Sequence, residues 1–250
     1  MPISGNFDQA LPTRQPLTIR TGQVFERTEI VGGNGITQGP HAYLVEQSAG
    51  VLLPSHFHMS DQFQVVLRGT GTLGRHHALK PVTVHYARAQ SAYGPIVADS
   101  EGLAYLTLRG AVEYGAHYLA DPKTRIDREL PKFQRTSDWV AVAQATELAA
   151  LKIARHQALI PEADDGLAVW MAWMPAGAPC TMPAAQANAG RFHVVVAGTV
   201  LVEAEAFPLW SCIWTAPGEL LTSIRAGSGG AELLSLQFPK NNSEAKREGA

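Results

Sequence analysis

With 46% hydrophobic and 17% charged residues, the 250-residue chain has enough apolar side chain to bury a full core, which excludes a disordered or fibrous polypeptide. Its 20 basic residues against 22 acidic ones leave a net charge of -2 and no basic stripe, so no nucleic-acid partner is expected. No apolar run approaches the roughly 20 residues that span a bilayer, and MPISGNFDQALPTRQ lacks the basic and apolar segments of an export signal, so a cytoplasmic protein without a membrane partner is expected.

Sixteen prolines and 23 glycines punctuate short apolar stretches, the pattern of an all-β chain. In chain order, HAYLVEQ, QFQVVLRG, VTVHYA and LAYLTLRG suit strands, being rich in β-branched and aromatic residues. ADPKTRIDRELPKFQRTSD follows; it is polar, charged and interrupted by proline, and reads as a linker. TELAALKIARHQ is the one stretch with helical character. LAVWMAWMP, RFHVVVAGTVLVEAE, LWSCIWTA and AELLSLQFP then repeat the strand style of the first half. The closing NNSEAKREGA has no apolar anchor and reads as a disordered tail.

The chain repeats itself. FQVVLRG (Phe63 to Gly69) and FHVVVAG (Phe192 to Gly198) lie 129 residues apart, and GLAYLTL (Gly102) and GAELLSL (Gly230) lie 128 apart. Two matches at nearly one offset indicate a duplicated module of roughly 100 residues, the size of a small domain. The expected division is an N-terminal β domain over 1–121, a linker over 122–135, a C-terminal β domain over 136–240 and a tail over 241–250.

In the first copy, GVLLPSHFHMSDQFQVVLRG sets His56 and His58 two residues apart, so that on a strand they share a face, with Gln62 on the same parity. Two neutral imidazoles and an amide oxygen can hold a borderline divalent metal. Ordinary surface or core histidines are the competing reading. The full spacing, Gly50-x5-His56-x-His58-x3-Gln62-x6-Gly69, resembles the first motif of the cupin superfamily, with Gln62 in place of that motif's glutamate. The resemblance implies an all-β chain of two tandem antiparallel β-barrels of jelly-roll type, a bicupin, with the histidines pointing into the first barrel's mouth. It also implies that His56, His58 and Gln62 are ligands of a divalent transition metal: iron, manganese, nickel or zinc. An amide in place of a carboxylate leaves the metal's charge whole, which weakens its binding but suits an anionic substrate oxygen. A site losing its metal is the alternative.

The superfamily's second motif is poorly kept: Tyr93, in Tyr93-Gly94-Pro95, stands where a histidine is expected. Tyr93 is therefore a candidate for hydrogen bonding or proton transfer, or a packing residue at the rim. His85, on the preceding strand, is a weaker candidate that requires an inward-facing ring. Asp61, on the other parity, reads as a solvated turn residue, and adjacent His76 and His77 as surface residues.

Carrying the offset of 129 into the second copy places Ala185, Ala187 and Arg191 opposite His56, His58 and Gln62, and Leu221 or Thr222 at the second motif. No metal site is expected there. His193, opposite Gln64, reads as a satisfied core histidine; Cys180, Met182 and the four tryptophans 170, 173, 210 and 214 read as packing residues. The resemblance implies a metal-dependent enzyme acting on a small organic acid or carbonyl compound, of dioxygenase type or else an isomerase or lyase. The altered glutamate, the missing histidine and the vacant second copy favour a non-catalytic small-ligand-binding or sensor protein instead. Pairing into a homodimer through barrel edges is compatible with either.

Overall fold

The computed structural model describes residues 3–33, 35–113, 115–180, 182, 189–219 and 224–240. The fold is all-β and comprises two tandem antiparallel barrels. The two compact units are Gln9–Ala141, and Met1–Asp8 together with Val142–Ala250. An N-terminal strand, β1 (Ile3–Gly5), and a single helical turn, α1 (Phe7–Ala10), open the chain.

The first barrel carries β2 (Gln15–Thr18), β3 (Val24–Val31), β4 (His41–Gln47), β5 (Leu52–Leu53), β6 (His56–Phe57), β7 (Gln62–Leu73), β8 (His77–Leu79), β9 (Thr83–Ala87), β10 (Ile96–Arg109), β11 (His117–Tyr118) and β12 (Gln134–Thr136). Its main sheet runs β12-β9-β7-β10-β4-β3-β2, and β6 and β11 form a separate ribbon. The second unit carries a helix, α2 (Ala145–Ala150), and strands β13 (Arg155–Ile160), β14 (Ala168–Met174), β15 (Arg191–Val202), β16 (Glu205–Phe207), β17 (Cys212–Thr215) and β18 (Ile224–Gln237). Its sheet runs β1-β17-β15-β18-β14-β13, so β17-β15-β18-β14-β13 repeats the order β9-β7-β10-β4-β3.

The repeated glycines explain why the two copies share a register. Gly69 (φ +74°) and Gly198 (φ +71°) sit at irregularities of the central strand pair. A Cβ on Gly69 would lie 2.0 Å from the Gly102 carbonyl oxygen, and one on Gly198 would lie 2.3 Å from that of Gly230. Only glycine tolerates both the left-handed backbone and the close approach.

The unit boundaries differ from the expected ones for a backbone reason. Part of the expected linker is an edge strand: β12 pairs with β9, the Arg88 amide donates to the Phe133 carbonyl at 3.0 Å, and the Val140 amide donates to that of Val82 at 3.0 Å. At the other end, β1 adds to the second unit by pairing with β17. The helix that enters TELAALKIARHQ is short, α2 ending at Ala150. After Ala150 the chain turns extended, because Arg155–Ile160 finds a strand partner in β14 and pairing overrides local propensity. The expected tail lies outside the described residues.

The two interiors differ in chemistry. The first barrel's inner cluster includes Tyr43, Tyr93 and Tyr105. The second's inner cluster is mainly aliphatic, with Met174, Val195, Val200, Ile213 and Leu233 beside Phe207, and with Cys180 and Met182 packed against it. Trp170, Trp173 and Trp214 are buried, while Trp210 is half-buried and meets the Phe7 ring edge-on at 5.2 Å. Both cysteines are free thiols. Among the described residues, no helix is long and apolar enough to cross a membrane.

Candidate functional site

The histidine pair projects as strand geometry dictates. His56 and His58 are 2% and 8% exposed, their ring centroids 5.2 Å apart and nearly perpendicular. The backbone of His56 exchanges hydrogen bonds with that of Tyr93, at 3.1 and 3.0 Å, which brings the two rings to 4.6 Å. On the opposite side, β11 sets Tyr118 beside His56. A cavity of about 360 Å³ opens here, with His56, His58, Tyr93, Tyr43, Tyr105 and Arg109 on its wall.

Arg109, the last residue of β10, organises this wall. Strand register places it opposite Gln62, the first residue of β7, and its side chain is buried, with 1% exposure for the residue. Nε and Nη2 both donate to Gln62 Oε1, at 3.1 and 2.9 Å; Nη1 donates to the Glu113 carbonyl at 3.0 Å, and Nη2 to His58 Nδ1 at 3.1 Å. All of these acceptors are uncharged. None of the ion pairs among the described residues includes Arg109. The Glu113 carboxylate is turned elsewhere: it accepts from the Met59 and Ser60 amides at 2.7 and 2.8 Å and from the Ser60 hydroxyl, and stands 3.4 Å from His58 Nδ1.

A guanidinium can only donate, so its contacts fix the polarity of its neighbours. Gln62 must turn its oxygen to Arg109 and its amide nitrogen to Tyr93, whose hydroxyl oxygen accepts from Nε2. Between Arg109 at 3.1 Å and Glu113 at 3.4 Å, His58 Nδ1 takes the lone-pair role because an Arg109 N–H is aimed at it. The His58 proton then sits on Nε2. His56 has the opposite tautomer, since Nδ1 donates to the Pro54 carbonyl at 2.7 Å.

Burial, with the neighbouring His58, lowers the His56 pKa to about 3. Burial also brings His58 to about 4, opposed by Glu113 and reinforced by the charge of Arg109. Both rings are neutral at physiological pH. Burial pushes the Glu113 carboxyl up, but His58, Ser60 and Met59 outweigh that and hold it at about 2. Burial keeps the Tyr93 phenol protonated, well above its ordinary range.

The remaining candidates fall as follows. His85 does face inward, opposite Gln64 on the next strand, but it does not reach the main cavity. Its Nδ1 pairs with the Thr136 hydroxyl at 2.9 Å, and it lines a separate void of about 10 Å³. Asp61 is no solvated turn residue: it accepts from the Tyr86 hydroxyl at 2.6 Å and from the Ala89 amide at 2.9 Å. His76 is exposed and His77 half-buried. In the second barrel His193 is buried and pairs with the Ser235 hydroxyl at 3.1 Å. Ala185, Ala187, Leu221 and Thr222 lie outside the described residues.

The expected residues omit Arg109 and Glu113, yet the duplication marks the first. Arg191 pairs with Gln237 in the register that joins Gln62 to Arg109, with the two residue types exchanged between strands, and Arg191 donates to the side-chain oxygen Oε1 of Gln237. Each guanidinium also faces an aromatic ring, Arg109 over Tyr43 at 5.6 Å and Arg191 over Trp170 at 5.2 Å.

No protein-family model matches the chain, and no curated protein matches it. Solved structures do. Pirin YhhW from Escherichia coli, in complex with nickel(II), superposes with a TM-score of 0.59 at 12% identity over 96% of this chain and 100% of its own. Salicylate 1,2-dioxygenase from Pseudaminobacter salicylatoxidans gives 0.57 at 11% identity, over 98% of this chain and 86% of its own. The 11S globulin from Wrightia tinctoria, whose structure reveals an auxin binding site, gives 0.56 at 10% identity, over 96% and 83%. The fold is a cupin fold. Identities this low carry the cupin architecture and nothing of its chemistry to this chain.

As a metal centre, the three expected cupin ligands do not fit together here. Both bonds that Gln62 Oε1 accepts come from Arg109, and Gln62 does not reach the cavity wall. A cation on that oxygen would meet the guanidinium's like charge at low dielectric. Among the described residues, no group of three or more histidine, cysteine, aspartate or glutamate side chains is arranged to hold a metal.

Proposed function

We propose that the N-terminal barrel binds a small organic anion in its 360 Å³ cavity, with Arg109 as the counter-charge. The observation that carries this reading is a buried guanidinium on the cavity wall whose four hydrogen bonds all go to neutral acceptors. Burying a charge with no carboxylate in direct contact costs several kcal/mol, the ionised Glu113 lying beyond His58, and an anion entering the cavity supplies the missing contact. Of the three arginines on this wall, Arg20 is ion-paired with Asp121 and Arg27 with Glu29, which leaves Arg109 as the one with no carboxylate in contact. The rest of the wall, with Phe25, Leu53 and the tyrosines, suits an apolar body on that anion. A small molecule bound to another cupin-fold protein supports the reading: a mutant of salicylate 1,2-dioxygenase has been solved in complex with gentisate. On this account the chain is a bicupin whose C-terminal copy, with its aliphatic interior, is structural.

A second reading keeps the metal. Neither His56 Nε2 nor His58 Nε2 has a hydrogen-bond partner among the described residues, and the nickel complex of the E. coli pirin favours two imidazoles as ligands of a divalent ion. A dioxygenase, isomerase or lyase activity would rest on that ion. One experiment separates the two readings: metal content of the purified protein, followed by calorimetric titration of benzoate into chelator-treated protein. The anion site binds benzoate without metal and loses at least about tenfold in affinity in Arg109→Met, the scale of one charge-assisted hydrogen bond. A stoichiometric transition metal whose removal abolishes binding would establish the second reading instead.

A further inference from the structure

We infer that the anion is a hydroxy acid, a carboxylate carrying a hydroxyl group for which His56 is the acceptor; this rests on the anion-site reading above. The argument is one of hydrogen-bond polarity. Arg109 uses four of the five N–H groups of a guanidinium on the protein and keeps one, on Nη1, for a ligand. His58 offers Nε2–H, because its Nδ1 lone pair is turned to Arg109. The Tyr93 oxygen accepts from Gln62, which leaves its own hydrogen free to donate. Three residues of the cavity wall thus each keep a donor for a ligand, a set suited to carboxylate oxygens.

His56 breaks the pattern. The Pro54 carbonyl can only accept, so His56 Nδ1 carries the proton and Nε2 presents a lone pair beside those donors. A plain carboxylate has nothing to donate to it and would set two lone pairs against each other. A hydroxyl donates there while the carboxylate engages Arg109 and His58, and the 5.2 Å between ring centroids keeps the two groups within one small molecule. Specificity for the hydroxyl follows from an acceptor that would otherwise stay buried and unmatched.

The test is calorimetry on chelator-treated protein with benzoate, its 2- and 3-hydroxy derivatives and the corresponding methyl ethers. At least one hydroxy acid should bind roughly fivefold more tightly than benzoate, the gain from one neutral hydrogen bond, and its methyl ether, which cannot donate, should lose that gain. In His56→Phe the ratio of hydroxy acid to benzoate should collapse to about one. Equal affinities for benzoate and both hydroxy acids in the unmodified protein would overturn this inference and leave the anion site standing. Failure of every carboxylate to bind would overturn the anion site with it. The comparison among ligands on the unmodified protein decides the matter even where the variant does not fold.

Discussion

Replacing Arg109 by methionine separates what the arginine does for the ligand from what it does for the fold. The substitution strands the Gln62 Oε1 and Glu113 carbonyl acceptors. His58 is spared, because its Nδ1 can take up the proton and donate to the Glu113 carboxylate already 3.4 Å away. Two stranded acceptors cost about 2–6 kcal/mol. Against this stands the desolvation of a buried guanidinium, several kcal/mol, which the variant no longer bears. The two nearly cancel, so the first barrel of Arg109→Met should lie within about 2 kcal/mol of the parent. The double variant Arg109→Met/Gln62→Leu, which also removes the stranded amide, should match or exceed the parent. Hydrogen exchange of peptides from β7 and β10 reads this barrel's opening free energy directly. A loss above about 4 kcal/mol in the single variant, not recovered in the double, would show that Arg109 is a structural cation and refute the argument.

Other consequences follow from the same geometry. Burial holds His85 at about 4 and His193 at about 3, below the ordinary 6.5, so below pH 6.5 the unfolded chain binds protons that the folded chain refuses. Stability should be level above that pH and fall as pH drops from 6.5 toward 4, by up to about 1.4 kcal/mol per pH unit for each ring; a urea midpoint unchanged across that window would contradict it. Gly69→Ala and Gly198→Ala should each cost more than about 2 kcal/mol, in their respective barrels, because backbone oxygens occupy the Cβ positions and the φ angles are left-handed; hydrogen exchange would localise the losses. Removing the first six residues takes β1 from β17, so exchange should quicken over 212–215 while β9 stays protected.

Much of the fold was legible because strand signals in this chain are local. HAYLVEQ matches β4 residue for residue, and the offsets of 129 and 128 fall on glycine pairs that occupy equivalent bulges. The edges were less legible, since whether a proline-rich segment pairs depends on a partner far away in sequence: Gln134–Thr136 finds β9, and Ile3–Gly5 finds β17. In the site, parity put His56 and His58 on one face, where their rings lie 5.2 Å apart, and Tyr93, which came from the resemblance to the second motif, lies beside His56. Parity could not show that Arg109 lies across from Gln62, because that contact is made by strand register over 47 residues of chain. The clue was nonetheless present: RFHVVVAG and GAELLSLQ exchange the glutamine of QFQVVLRG for the arginine of GLAYLTLR, and the reverse. A pair that trades places between two copies is a pair in contact.

The most direct test of the central claim is a crystal of chelator-treated protein soaked with a brominated hydroxybenzoate, the bromine located by its anomalous signal. The account places the carboxylate within hydrogen-bond distance of Arg109 and His58, and the hydroxyl on His56, with no metal between them. A ligand found outside this cavity, or one that binds only when a metal peak bridges His56 and His58 and Arg109 has swung away, would contradict it.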